Sequence, residues 1–217
     1  MPHHIAVSIT TPEKHQEAQQ LAIKLGIDFI LNLDDKAAYD YILLFTPDYL
    51  GLYKTADKKL APFYINFLSG KMQYRSKQAG RRNELLAKAM GCRPRDNPTI
   101  IDATAGLGRD AFILGTLGFN VILLERSPIL CALLGDALHR AKKEAGTQII
   151  IERLHLIPGD AVTWLNDPTC PPDIIYLDPM FPSRKKSASV KKEMVILQDL
   201  LGKDADADAL FGMALTC

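Results

Sequence analysis

Short apolar runs separated by polar, glycine-containing stretches organise the chain. Ile5-Ala-Val-Ser-Ile9 is β-prone. Thr11-Pro12-Glu13 then starts a helix, with a capping residue, proline in the first turn and an early acid. That helix is expected to reach Leu25, where Gly26 supplies the stop. Phe29–Leu33, Tyr41–Phe45 and Tyr49–Tyr53 read as strands, and the alternating run Phe63–Phe67 as another. Residues 1–70 therefore predict a small N-terminal α/β domain. Residues 71–98 read as a basic linker and helix: 71–81 are polar and loop-like, and a helix over 82–90 is stopped by Gly91 and Pro94.

At Thr99 the pattern changes. Apolar runs ending at Asp102, Glu125, Ile157 and Asp178 alternate with helical stretches after Gly108, from Pro128 to Ala145, and over Ala161–Leu165. Strand-helix alternation of this kind predicts a parallel sheet covered on both faces. Residues 99–217 are expected to form this second domain. After Asp178 only 39 residues remain, and they read as helices over Val190–Leu201 and Ala205–Leu215.

Composition narrows the class. The chain has 217 residues, 47% hydrophobic and 24% charged, which excludes a disordered or fibrous protein. No apolar run approaches the ~18 residues of a membrane span, and the N-terminus lacks a secretory pattern. Cys92, Cys131, Cys170 and Cys217 are far apart, without a CxxC pair or neighbouring histidine cluster. They read as free thiols of a cytoplasmic protein, with no metal expected.

A net charge of +1 hides two basic islands. Residues 71–95 hold eight Lys/Arg, among them Arg81 and Arg82, against Glu84 alone. Residues 184–192 hold five, including Arg184, Lys185, Lys186 and Lys191, and no acid. Such clustering suggests a localised polyanion site. Tyr74, inside the first island, is equally consistent with base stacking and with ordinary packing.

The candidate chemistry starts at Asp102-Ala-Thr-Ala-Gly106-Leu-Gly108-Arg109-Asp110-Ala111, between a strand and a helix. Glycines there permit a tight turn and close ligand approach. Glu125 ends the next strand, where an acid can accept from ribose hydroxyls. The ligand is expected to be of adenosine type. Asp102 and Asp110 beside the turn would repel a pyrophosphate but not a sulfonium carrying an amino group. The Asp-x-x-x-Gly-x-Gly pattern thus resembles the first motif of class I S-adenosylmethionine-dependent methyltransferases, a Rossmann-like fold.

Asp178-Pro179-Met180-Phe181-Pro182 ends a later strand. It resembles, in variant form, the Asp/Asn-Pro-Pro-Tyr/Phe loop of methyltransferases acting on exocyclic base amines. Such an amine is a poor nucleophile, because its lone pair is delocalised into the ring. The Asp178 carboxylate and the Pro179 carbonyl can accept its two N–H bonds and aim that lone pair at the methyl group. Phe181 can stack on an extruded base. The adjacent cationic tail suits a polynucleotide, with phosphate contacts at Arg81, Arg82, Arg184, Lys185, Lys186 and Lys191.

Together Asp102–Phe112, Leu124-Glu125-Arg126 and Tyr176–Pro182, continuing into Lys186-Ser-Ala and Val190–Met194, resemble the ribosomal RNA small subunit methyltransferase J family. The resemblance implies transfer of a methyl group from S-adenosylmethionine to guanine N2 in bacterial 16S rRNA or the small ribosomal subunit. It also implies a cofactor site lined by Arg109, Asp110, Glu125, Arg126, Asp160, Ala161 and Asp178. The Asp160-Ala161 pair departs from the small hydroxylic residues common in the family. Such folds normally carry seven strands, so C-terminal strands are expected to be missing from a truncated chain, leaving a bare sheet edge. Adenine-N6 methylation, or nucleic-acid binding without catalysis, remain alternative expectations.

Overall fold

The computed structural model describes residues 3–31, 37–57, 61–80, 85–91, 98–166, 172–179, 192–202 and 207–216. The chain forms two compact units, Met1–Ile65 with Ser187–Gly202, and Asn66–Lys186 with Lys203–Cys217.

In the first unit β1 (Ile5–Ile9) leads through a 3-10 turn at Pro12–Lys14 into α1 (His15–Leu25). Gly26 ends α1 in the left-handed conformation, φ 65°, with its N–H returned to Ala22 and Ile23 carbonyls. β2 (Asp28–Ile30), β3 (Tyr41–Phe45) and β4 (Leu50–Lys54) complete a sheet of order β2-β1-β3-β4. β1 is parallel to β2 and β3, and β4 is antiparallel to β3. Every residue of β3 is buried, as a strand covered on both faces requires. The run Phe63–Phe67, expected to be a strand, contributes only one isolated bridge, Leu52 to Phe63.

The second unit opens with a correction. Residues 71–78, expected to be part of a loop, are helical: α2 spans Gly70–Gln78. Ser69 caps it by accepting the Met72 N–H, Met72 is buried, and Ser76 Oγ lies 3.2 Å from Thr116 Oγ1. With one apolar anchor the helix has almost no hydrophobic period to read. α3 (Leu85–Ala89) follows. β5 (Thr99–Asp102), α4 (Arg109–Thr116), β6 (Asn120–Glu125), α5 (Pro128–Lys142), α6 (Gln148–Ile151), β7 (Leu154–Pro158), α7 (Ala161–Asn166) and β8 (Ile174–Tyr176) then alternate. The four strands are all parallel, in the order β7-β6-β5-β8. Residues 111–115 of α4 are buried without exception.

α8 (Lys192–Leu201) belongs to the first unit. Ile196 and Leu197 are buried, and Asp199 accepts from Tyr41 Oη and from Lys54 Nζ at 2.6 Å. α9 (Ala207–Ala214) returns to the second unit, where Leu210 packs on the cluster of Ile101, Ala103, Leu124 and Ala161. Among the described residues no strand pairs with the outer edge of β8, and no helix is long and apolar enough to cross a membrane.

Candidate active site

Parallel strands direct all their carboxyl ends to one edge of the sheet. Asp160, Glu125, Asp102 and Asp178 lie at or just beyond the ends of β7, β6, β5 and β8, in that spatial order. The chain order reverses direction at β5, so Asp102 and Asp178 flank the switch point, where open α/β sheets hold ligands.

The glycine loop is built between these acids. Thr104 N–H donates to Asp102 Oδ1 at 3.2 Å, and Gly106 N–H to Glu125 Oε2 at 2.9 Å. The other Glu125 oxygen accepts from Ser127 N–H at 2.7 Å, so this acid ties the loop to the start of α5. Gly106 and Gly108 have φ of 52° and 65°. A Cβ at Gly108 would lie 2.7 Å from Leu134 Cδ1 and 3.2 Å from Phe67 Cζ. Phe67 in turn stacks on Phe112 of α4, centroids 4.9 Å apart. Glycine is therefore required at 108 by both backbone angle and space.

Asp178 is exposed and Pro179 half-buried. The Asp178 backbone N–H donates to Thr104 Oγ1 at 2.7 Å, joining the end of β8 to the glycine loop. Asp110 accepts from Arg75 Nη1 at 2.9 Å and from Tyr176 Oη at 3.1 Å. Thr104, Arg75 and Tyr176, none of them predicted as site residues, supply these bonds around the acids at the strand ends. Thr104 and Tyr176 lie inside motifs already singled out, whereas Arg75 belongs to the first basic island with nothing in the sequence to set it apart from its neighbours there. Asp160 Oδ1 accepts from Thr163 N–H, which caps α7, and Ala161 is buried. Arg109 is half-buried and Arg126 exposed. Phe181, Arg81, Arg82, Arg184, Lys185, Lys186 and Lys191 lie outside the described residues.

The site is electron-rich. Asp102 is 2% exposed. Burial pushes its carboxyl up to about 7; the Thr104 N–H opposes this, and the charges of Asp110, Asp178 and Glu125 add to it. Asp178 is also raised, first by lost hydration and then by Asp110, with the Tyr176 hydroxyl working the other way. Burial, followed by Asp110 and Asp178, lifts the Tyr176 phenol above its ordinary value. Carboxylates crowded together in this way fit a ligand bearing positive charge and would repel a pyrophosphate. The residues present therefore suit a sulfonium cofactor with a cationic amino group.

The family model described as "Putative SAM-dependent methyltransferase" matches residues 27–217. A ribosomal RNA small subunit methyltransferase J from Coxiella burnetii is 42% identical over 212 residues, 97% of this chain and 82% of that protein. One of the same name from Aeromonas salmonicida is 46% identical over 211 residues, 96% of this chain and 81% of that protein. The crystal structure of a SAM-dependent methyltransferase from Neisseria gonorrhoeae superposes with a TM-score of 0.70 at 29% identity, covering 96% of this chain and 79% of that one. The Rossmann-like fold, the acidic ligand edge and these likenesses agree on S-adenosylmethionine as the cofactor. The chain belongs to the ribosomal RNA small subunit methyltransferase J family of SAM-dependent methyltransferases.

Proposed function

We propose that this protein methylates the exocyclic N2 of a guanosine in 16S rRNA, free or within the small ribosomal subunit, in the bacterial cytoplasm. The observation that carries the reading is the tether between Thr104 and Asp178, which holds the Asp-Pro loop against the glycine turn of the cofactor site. The family name supports RNA as acceptor.

S-adenosylmethionine, when bound, supplies an electrophilic methyl group on sulfur. The backbone of Gly106 and Gly108 would accommodate it closely, with Arg109 and Asp110 at the start of α4. Glu125, beside Arg126, would face the ribose, Asp160-Ala161 the adenine, and Asp102 the cationic end. Asp178 and the Pro179 carbonyl accept the two N–H groups of the guanine amine and fix its lone pair in one direction. Proline serves here because its ring restricts φ, so the carbonyl is aimed before the base arrives. The raised basicity of Asp178 suits it to take the proton that the methylated nitrogen gives up. Phe181 stacks on the extruded base, and Arg81, Arg82, Arg184, Lys185, Lys186 and Lys191 hold phosphates.

The test is methyl transfer from labelled S-adenosylmethionine to unmodified 16S rRNA and to small subunits, followed by digestion to nucleosides. N2-methylguanosine is the expected product. N6-methyladenosine, or no label in RNA, overturns the reading.

A further inference from the structure

One helix of the second unit has a face that the methyl-transfer chemistry does not use. α2, with the sequence Gly-Lys-Met-Gln-Tyr-Arg-Ser-Lys-Gln, contains no acid. At 3.6 residues per turn its two sides are chemically distinct. Met72, Arg75 and Ser76 lie on the inner side: Met72 is buried, Arg75 bonds Asp110, and Ser76 meets Thr116. Lys71, Gln73, Tyr74, Lys77 and Gln78 are exposed on the outer side. The Tyr74 side chain is not packed: the residue is 69% exposed. That removes the packing role which the sequence left open for it.

An aromatic ring standing in water between two lysines, on a face without acids, is the arrangement that recognises single-stranded nucleic acid. The ring stacks on a base and the ammonium groups meet the flanking phosphates. Lys71 and Lys77 lie six residues apart, about 9 Å along the helix axis, with Tyr74 midway. Lysine and glutamine around the ring argue for a polyanion over an apolar protein surface. The inner side gives this face a mechanical link to the chemistry. Arg75 and Tyr176 share Asp110 as acceptor, and Tyr176 lies two residues before Asp178.

We propose that the outer face of α2 is a docking surface for a single-stranded segment of the rRNA substrate, with Tyr74 stacking on a base and Lys71 and Lys77 contacting phosphates. The proposal rests on the RNA-methylating reading above and extends it to a surface apart from the acceptor pocket. RNA held there is registered against the cofactor edge through the Arg75–Asp110–Tyr176 bonds.

Filter binding of in-vitro transcribed 16S rRNA tests this with Tyr74→Ala, Tyr74→Phe and the double variant Lys71→Gln/Lys77→Gln. S-adenosylhomocysteine titration of each variant serves as a control on the fold. Tyr74→Ala is expected to weaken RNA binding about tenfold, and Tyr74→Phe to stay within about twofold of the parent. The double lysine variant is expected to lower the slope of log K against log salt by about 1.4 in magnitude. S-adenosylhomocysteine affinity is expected to be unchanged in all three. Parental RNA affinity in Tyr74→Ala overturns the docking surface while leaving the methylation reading intact. Joint loss of RNA and S-adenosylhomocysteine binding in Tyr74→Ala makes the residue structural and also overturns it. A parent protein that neither binds nor methylates 16S rRNA overturns the functional reading and this surface with it.

Discussion

The backbone N–H of Asp178 points at the hydroxyl oxygen of Thr104, 2.7 Å away and 74 residues earlier in the chain. This bond spans the switch point of the sheet. It fixes where the Asp-Pro loop begins relative to the glycine turn proposed to face the cofactor. Thr104→Val keeps the shape and removes the acceptor. Because Asp178 is exposed, its freed N–H can bond water, so a thermal melt should register a loss of no more than about 1 kcal/mol. Methyl-transfer kcat is expected to fall about tenfold through loss of alignment. Thr104→Ser should restore it, and KM for S-adenosylmethionine should move little in either variant.

Gly108 joins a left-handed φ of 65° to contacts a side chain could not share. Leu134 and Phe67, which a Cβ would meet, are both buried and leave little room to adjust. Gly108→Ala combines the left-handed penalty of about 1–2 kcal/mol with overpacking of about 1–3 kcal/mol. A total loss of about 2–5 kcal/mol in urea denaturation is expected, with S-adenosylhomocysteine binding abolished or strongly weakened.

The buried Asp102 carboxyl, pushed up to about 7 from an ordinary value of 3.8, sets a pH dependence. Between these values the folded protein binds more protons than the unfolded chain. Asp102 therefore makes stability fall as pH rises from 3.8 towards 7, and becomes neutral to further change above that. Asp178, raised in the same direction, adds to the trend. A ligand with positive charge facing Asp102 favours the ionised acid, so S-adenosylmethionine should bind more tightly as pH rises through about 7 and release up to about one proton. Calorimetry in buffers of different ionisation enthalpy measures that proton. Asp102→Asn should flatten the profile.

Asp199 holds α8 against the first unit by accepting from Lys54 and Tyr41. Lys54 chiefly, then Tyr41, holds its carboxyl below the ordinary value. Its contribution is therefore present above the ordinary carboxylate range and lost as pH falls through the depressed value. Asp199→Ala is expected to speed amide hydrogen exchange across Lys192–Leu201, and to leave S-adenosylhomocysteine affinity unchanged.

The parts of the fold most legible in the sequence are those set over short distances. The strand-turn-helix around Gly106 and Gly108, the Pro128 start of α5 and the Gly26 stop of α1 each carry their signal within a few residues. β5 to β8 follow from runs that end in Asp102, Glu125, Ile157 and Asp178. Long-range features left no such trace. α2 is held by a serine cap, one buried methionine and polar bonds to α4, so its hydrophobic pattern is nearly empty. The apolar positions of α8 show that one face is buried, but not that the partner is the first sheet. Glu125 could be read as a ligand acid, whereas its bonds to Gly106 and Ser127 appear only once the strands are placed side by side.

The most direct measurement is single-turnover methyl transfer to 16S rRNA by the parent protein and by Asp178→Ala, at saturating S-adenosylmethionine. An oriented carboxylate on the acceptor amine is worth about 10²–10³ in rate. A loss of that size, with S-adenosylhomocysteine affinity retained, is the expected result. An unchanged rate in Asp178→Ala contradicts the role given to this residue and to the loop that carries it.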